Sequence, residues 1–242
     1  RKAPSSHLPS RSTQHAIVPH DSLPRSRLVR RRPGPRLPAE GTGMNPEDRD
    51  AILNRHNELR SSNARGLEPD GTSGAMAPSG KNIYKLSYSC DLEEKAQRWA
   101  DGCVFKHSPQ EGRDAGENIY AVYPAQNSNA PLVSAANSWW SELKNKGVGQ
   151  FSEDFLLTDD VFSAGTGHYT QMVWGETTEV GCGIAQCSSP KSMTYVVCNY
   201  RIAGNMDGSP IYEIGNPCEQ DSDCTTITGS TCSVEEGLCI KP

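Results

Sequence analysis

The stretch "GHYTQMVW", residues 167–174, places a histidine among polar side chains where a buried helix would need apolar ones. His168 has three interpretations from the sequence: a member of an active site, a metal ligand, or a polar residue satisfied in a crowded core. Imidazole can carry protons near neutral pH and is a good ligand for zinc. The chain has neither an HExxH nor a GxSxG motif, so spacing alone does not choose among them.

Charge is distributed unevenly along the 242 residues. The net charge is -5, from 24 Lys and Arg against 29 Asp and Glu. Residues 1–43 contain nine of the basic residues and two acidic ones, so the remaining 199 residues have a net charge of -12. An acidic body argues against nucleic acid as a partner. No apolar run approaches the roughly 18 residues of a membrane span, so the sequence predicts no transmembrane segment.

All nine cysteines follow residue 89, and four of them lie in the last 25 residues. This density is typical of extracellular proteins that are held by disulfides. The sequence therefore predicts a secreted, extracellular protein.

Three segments differ in composition. Residues 1–43 combine seven prolines with scattered arginines, which predicts a disordered basic arm. Its "RLVRRRPGPR" run is open to four interpretations: a cleavage site, an anchor to anionic surfaces, a solvated tail without a role, or a cloning or gene-model artefact. Residues 44–212 are predicted to form the main domain. Residues 213–242 form a cysteine-rich tail that disulfides must hold together.

The main domain shows helix and strand signals in an α+β arrangement. Asn45 and Pro46 predict the start of a first helix, in which the helical spacing of Ile52, His56 and Leu59 predicts that His56 faces inward or lies at the edge of the core. Further helices are predicted over 90–105 and 131–147, and an antiparallel hairpin over 177–187 and 193–201. Helices mixed with antiparallel strands favour layered α+β packing.

Four short patterns occur in order: "HNELR" at 56–60, "GENI" at 116–119, "GHYTQMVW" at 167–174 and "VCNYRIAGN" at 197–205. Together they resemble the signature of the CAP superfamily of cysteine-rich secretory, antigen 5 and pathogenesis-related proteins. Residues 44–242 are most similar to the nematode activation-associated secreted, or venom-allergen-like, proteins. The resemblance implies an α–β–α sandwich with a small antiparallel sheet between helical layers, plus a disulfide-rich C-terminal hinge module.

The resemblance also implies a central cavity with two histidines and two glutamates. The matching residues here are His107, Glu117, Glu142 and His168. Relatives that hold zinc or cadmium between the two histidines imply a weak divalent-metal site, with Zn²⁺ at His107 and His168. The alternative is that the four residues hydrogen-bond one another and brace the sheet against the helices.

Four disulfides are implied by the same resemblance: Cys182–Cys198, Cys103–Cys187, Cys218–Cys232 and Cys224–Cys239. Cys90 is left over. A free thiol at that position could link two chains or be buried, so the sequence leaves both a monomer and a dimer open.

Three functions follow from the resemblance. The first is non-catalytic binding of a host protein or receptor, with modulation of host immunity. The second is carriage of a sterol or fatty acid, with residues 120–133 as a flexible flap. The third is a hydrolase, in which His168 and Glu142 would activate water or Ser108. "HNELR", Tyr169, Gln171 and Trp174 are predicted to be structural.

Overall fold

A computed structural model describes residues 43–149 and 154–242, and these residues belong to one compact unit. The predicted basic arm, apart from Gly43, lies outside the described residues. Among the residues that are described, no helix has the length and apolar character needed to cross a membrane.

The described residues form five α-helices: α1 (Pro46–Ala64), α2 (Cys90–Asp101), α3 (Ala130–Lys146), α4 (Asp159–Val161) and α5 (Gly167–Val173). Two short strands lie between α1 and α2, and one strand lies between α2 and α3. Within the described ranges, helices α3, α4 and α5 follow one another without a strand between them, and a π-helical turn, Phe162–Thr166, leads into α5. The remaining strands follow α5.

The strands are β1 (Gly80–Lys81), β2 (Ser87–Tyr88), β3 (Gly116–Val122), β4 (Glu179–Cys187), β5 (Met193–Arg201), β6 (Glu213–Ile214), β7 (Thr231–Ser233) and β8 (Leu238–Ile240). Four of them form the central sheet in the order β2-β4-β5-β3. Strands β3, β4 and β5 are antiparallel, whereas the short edge strand β2 is parallel to β4. Two small two-stranded sheets, β1-β6 and β7-β8, lie outside the central sheet.

The sheet is covered by helices on both faces. Helix α2 packs on β4 and β5, while α1, α3 and α5 pack against one another on the other face. Along β5, Tyr195 and Val197 belong to the α2 core, whereas Val196, Cys198 and Tyr200 belong to the larger core, as the two-residue period of a strand requires. The predicted α–β–α sandwich is confirmed.

The ends of the helices follow local chemistry. The Asn45 side chain accepts from the Asp48 amide at 2.8 Å and Pro46 occupies the first turn, so the predicted start of α1 is confirmed. Helix α2 ends at Asp101, and the predicted extension to residue 105 is wrong. Gly102 ends the helix, and Cys103 adopts a φ of 54°, in the left-handed region that no helix can continue.

Strand β3 contains the "GENI" residues, for which the sequence predicted no strand. The segment 120–133, predicted to be a flexible flap, begins inside β3 and ends inside α3. Between them, the Ala125 amide donates to Ser192 Oγ at 3.1 Å and the Gln126 amide donates to Thr194 Oγ1 at 2.8 Å. These bonds hold the middle of the segment against the start of β5.

The cysteine-rich tail contacts the main domain through backbone hydrogen bonds. Strand β6 pairs with β1, and the Lys85 amide donates to the Cys239 carbonyl at 2.7 Å. The Tyr84 hydroxyl accepts from the Ile227 amide at 2.8 Å. The boundary at residue 213 stays a prediction.

The structure joins the four cysteine pairs that the resemblance implies. One bond ties the residues after α2 to the end of β4, a second links β4 to β5, and two hold the tail. They are Cys103–Cys187, Cys182–Cys198, Cys218–Cys232 and Cys224–Cys239. Cys90, the first residue of α2, lies outside these four bonds and is partly buried.

Candidate functional site

One histidine–carboxylate pair forms where α3 meets the first turn of α5. His168 Nδ1 lies 2.9 Å from Glu142 Oε1. The amides of His168 and Tyr169 donate to Glu142 Oε2 at 2.9 and 3.1 Å. Because the first amides of a helix have no partner within the helix, a carboxylate at this position satisfies two of them. Lys146 Nζ, one turn further along α3, lies 3.2 Å from Glu142 Oε1.

The second pair joins β3 to the loop after α2. His107 Nδ1 lies 2.9 Å from Glu117 Oε1. Ser108 donates to the same carboxylate twice, from its amide at 2.8 Å and from its hydroxyl at 2.6 Å. Arg113 Nη1 lies 3.2 Å from Glu117 Oε1. The Glu117 side chain is fully buried, so these donors supply the compensation that a buried charge needs.

Both carboxylates are held in their ionised form. Burial is the strongest influence on Glu117 and raises its pKa, but hydrogen bonds from His107 and Ser108 and the charge of Arg113 bring the pKa below its usual value. Burial likewise raises the pKa of Glu142, and the bonds from His168 and Tyr169 with the charge of Lys146 bring that pKa below its usual value. Each imidazole therefore faces a permanent negative charge near neutral pH.

All four residues line one cavity of about 530 Å³. Arg113 and Lys146 place two cationic side chains in its wall, and Phe162, Ala203 and Met206 form an apolar part of the wall. The structure thus brings together the four residues that the resemblance implies. They come from the α2–β3 loop, β3, α3 and α5, so only the folded chain assembles them.

Neighbouring side chains pack closely against His168 in α5 and Gly116 in the edge strand β3. The indole of Trp139 stacks against the His168 ring, with centroids 6.1 Å apart and planes 16° from parallel. Gly116 has no side chain, and a Cβ there would overlap the amide of Gln171. Gln171 Oε1 in turn accepts from the Gly204 amide at 3.0 Å. This close approach accounts for the glycine of "GENI", and the structural role of Gln171 stays a prediction.

A hydrogen-bonded chain links the site to α1. Asn118 Nδ2 donates to the His168 carbonyl at 3.0 Å and to the Tyr200 hydroxyl at 3.3 Å. The Tyr200 hydroxyl lies 2.9 Å from Nε2 of the buried His56. Asn118 is a site-supporting residue that the sequence reasoning missed, although it belongs to the quoted "GENI" pattern.

The sequence and the architecture match a known family. The family model described as CAP, the cysteine-rich secretory protein family, matches residues 53–200, more than half of the chain. The chain belongs to the CAP family. Ancylostoma secreted protein from Ancylostoma caninum is 42% identical over 206 residues, which cover 83% of this CAP chain. The match spans only 46% of that relative's length.

Solved structures give the same assignment for this CAP domain. BmVAL-1 is 40% identical with a TM-score of 0.76, and the match covers 84% of this chain and 98% of BmVAL-1. The NaASP2 structure with Zn²⁺ is 41% identical with a TM-score of 0.73, and the match covers 84% of this chain and 99% of NaASP2. The zinc ion is part of the NaASP2 structure.

The donor set of the CAP cavity is compatible with a divalent metal. Because each Nδ1 lies within hydrogen-bonding distance of a carboxylate, each Nε2 remains as the ligand atom. In the described parts of the chain, three residues bring one ligand atom each to within 4.8 Å of one another only at Cys218, Cys224 and Cys239, whose sulfurs are in disulfides. The cavity therefore offers two imidazoles, and water would complete the coordination.

The same geometry bears on hydrolysis in the CAP cavity. Ser108 follows His107 directly, but its hydroxyl donates to Glu117 Oε2 rather than to an imidazole. A serine nucleophile needs a base that accepts its proton. The Ser108 hydroxyl instead faces a carboxylate whose pKa is below its usual value, which makes that carboxylate a weak base.

Proposed function

We propose that this CAP protein is a secreted, non-catalytic binding protein, and that its central cavity holds a divalent metal ion between His107 and His168. The observation that carries the proposal is the pair of His–Glu contacts, which orient both rings and leave each Nε2 as the available ligand atom. When bound, the ion would supply a fixed positive charge to the cavity. Glu117 and Glu142 would keep the two imidazole rings oriented through their Nδ1 atoms, and the cavity wall would contact the bound partner.

The metal proposal predicts a binding difference between variants of the cavity. In titration calorimetry with ZnCl₂, the unaltered chain is expected to bind one ion, and His107→Ala/His168→Ala is expected to lose that binding. Gln110→Ala is the matched control, because Gln110 lines the same cavity without a strong ligand atom. Zinc binding that survives the double substitution would contradict the proposal.

A second variant separates ring orientation from ligation. Glu142→Gln keeps the shape of the side chain but removes its negative charge, so zinc affinity is expected to fall about 10- to 100-fold. Equal affinities for the unaltered chain and Glu142→Gln would show that the carboxylate does not orient a ligand.

We further propose that the binding partner is a host protein, through which the chain modulates host immunity. The supporting feature is an exposed apolar group beside the cavity: Phe162, Ile202 and Met206 are 51%, 49% and 56% exposed. Phe162 and Met206 also line the cavity. Aromatic and methionine side chains are enriched in protein interfaces, so this group supplies a contact surface next to the metal site.

The second candidate function is binding of a fatty acid or sterol. A neighbouring cavity of about 540 Å³ is lined by Trp174, Ile202, Ile211 and Tyr212, among other residues, and it shares Ala203 and Met206 with the histidine cavity. Its volume lies within the usual range of about 300–1,000 Å³ for small-molecule sites. These residues, rather than segment 120–133, supply the apolar wall in this candidate.

This candidate predicts a difference in fatty-acid binding between two methionine variants. A fluorescent fatty acid is expected to bind saturably, and Met206→Gln is expected to weaken the binding about tenfold. Met76→Gln is the control, because Met76 is similarly exposed, at 51%, and lines neither cavity. Equal effects of the two substitutions would remove the lipid candidate and leave the protein-binding one.

A further inference from the structure

A third pocket, of about 250 Å³, lies on the α2 side of the sheet; it shares Arg113 with the histidine cavity, but neither histidine lines it. Helix α2 contributes Lys95, Arg98 and Trp99 to its wall, and β5 contributes Asn199. The loop before β3 supplies the remaining lining residues, Ser108, Pro109, Glu111, Gly112 and Arg113. The pocket therefore combines three cations, one carboxylate, one indole and one buried amide.

Asn199 is the member of "VCNYRIAGN" that neither the fold nor the histidine cavity explains. Its neighbours have clear roles: Cys198 is in a disulfide, Tyr200 contacts His56, and Arg201 binds Asp91 and Glu179. Asn199 is only 2% exposed, and its side-chain oxygen has no hydrogen-bond partner. Leaving a buried acceptor without a donor is unfavourable, so this oxygen is the acceptor that a donor group of a bound ligand would satisfy.

The cations indicate an acidic group on the same ligand. Lys95 Nζ has a long contact, 3.5 Å, with the Arg113 carbonyl. The Arg98 side chain is 63% exposed and contacts Glu94 at the surface. Arg113 donates to the Ser108 and Ala115 carbonyls, which fix its position in the wall. Lysine and arginine side chains bind oxyanions such as sulfate and phosphate strongly.

Trp99 adds an apolar surface of fixed orientation. Its Nε1 donates to the Lys106 carbonyl at 2.8 Å, so the indole is held while the residue remains partly exposed. An indole offers a flat apolar face to a ring that lies against it. The pocket is smaller than the range of about 300 Å³ and above that suits drug-sized ligands, which favours a single ring over a larger molecule.

We propose that this pocket binds a sulfated sugar unit of an extracellular polysaccharide. The sulfate would lie against Lys95 and Arg98, the sugar ring would lie on Trp99, and a hydroxyl group would donate to the Asn199 side-chain oxygen. The site uses neither His107 nor His168, so it stands or falls independently of the metal proposal.

The test is titration calorimetry with a heparin-derived tetrasaccharide at one fixed salt concentration, since screening weakens such contacts. The unaltered chain is expected to bind it. Lys95→Gln/Arg98→Gln and, separately, Asn199→Leu are each expected to weaken the binding at least tenfold. Lys144→Gln, which removes an exposed lysine from α3, is expected to change the affinity less than twofold.

Four results would overturn the proposal. The first is no binding of the tetrasaccharide, and the second is equal binding of its desulfated form. The third is unchanged binding by the Lys95→Gln/Arg98→Gln variant, whose substitutions lie on the outer side of α2 and leave the core intact. The fourth is that the same substitutions weaken the binding of a nucleoside monophosphate more than they weaken the binding of the tetrasaccharide. That result would assign the pocket to nucleotides instead.

Discussion

Replacing Arg60 with methionine is expected to lower the free energy of unfolding by at least about 4 kcal/mol. The Arg60 side chain is fully buried, and its guanidinium donates to the carbonyls of Tyr84, Met172, Trp174, Gly175 and Thr177. Burial lowers its pKa to about 9, so it remains protonated at neutral pH. Methionine fills a similar space but leaves these carbonyls without their donors.

Urea denaturation at pH 7 measures this effect, with Arg55→Met as the matched control on the same helix. Arg55 is at the surface, where it contacts Asn137 and Glu58, and its loss is expected to change the unfolding free energy by less than about 1 kcal/mol. Similar stabilities for the two variants would show that the carbonyl contacts of Arg60 do not hold α1 against the segment after α5.

Acid is expected to destabilise the fold through His56, starting below pH 6.5. The pKa of His56 falls from 6.5 to about 4, because burial lowers it strongly, the hydrogen bond to the Ile52 carbonyl offsets part of that effect, and the nearby Arg60 charge adds a smaller lowering. The neutral ring donates from Nδ1 to that carbonyl at 2.8 Å and accepts the Tyr200 hydroxyl at Nε2. The unfolded chain therefore binds a proton on this residue before the folded chain does.

Because the unfolded chain is protonated at His56 first, acid lowers the free energy of unfolding. Stability is complete above pH 6.5, and it falls as the pH drops towards 4, by about 2 kcal/mol between pH 7 and pH 4.5. Chemical denaturation at several pH values measures the slope. His56→Gln keeps an uncharged amide at this position and is expected to flatten the curve between pH 6.5 and 5. An identical slope in that variant would assign the acid sensitivity to other groups.

Local chemistry made much of the fold predictable. The Asn45 and Pro46 signal located the start of α1, and the β-branched and aromatic residues of 177–187 and 193–201 located the hairpin. The helical spacing of His56 with Ile52 and Leu59 predicted that it faces inward or lies at the edge of the core, and His56 is buried. Such signals lie within a few residues of one another, so no tertiary information was needed.

Long-range contacts determine what local chemistry could not predict. Strand β3 is recognisable only through its pairing with β5, some 80 residues later, and the residues 120–122 at its end look like part of a loop. The buried ion pair of Arg49 and Glu93 joins α1 to α2, with Nε–Oε2 at 2.6 Å, and no local pattern marks it. Helix α2 was predicted too long because a helical sequence pattern continues past Gly102.

The arrangement of the histidine cavity was likewise not predictable from local sequence. Composition and spacing left three interpretations of His168 open, and the resemblance supplied His107, Glu117 and Glu142. The contacts that orient the rings depend on the first amides of α5, on the Ser108 amide and on Trp139. None of these contacts follows from the type of residue, because each requires two distant elements to meet.

The central claim, that His107 and His168 hold a metal ion through Nε2, is tested most directly by anomalous diffraction from crystals soaked in ZnCl₂. The account predicts one anomalous peak in the histidine cavity, bonded to Nε2 of both rings, with Glu117 and Glu142 still on the Nδ1 atoms. An empty cavity at saturating zinc, or a peak bonded to the carboxylates with the rings turned away, would contradict it.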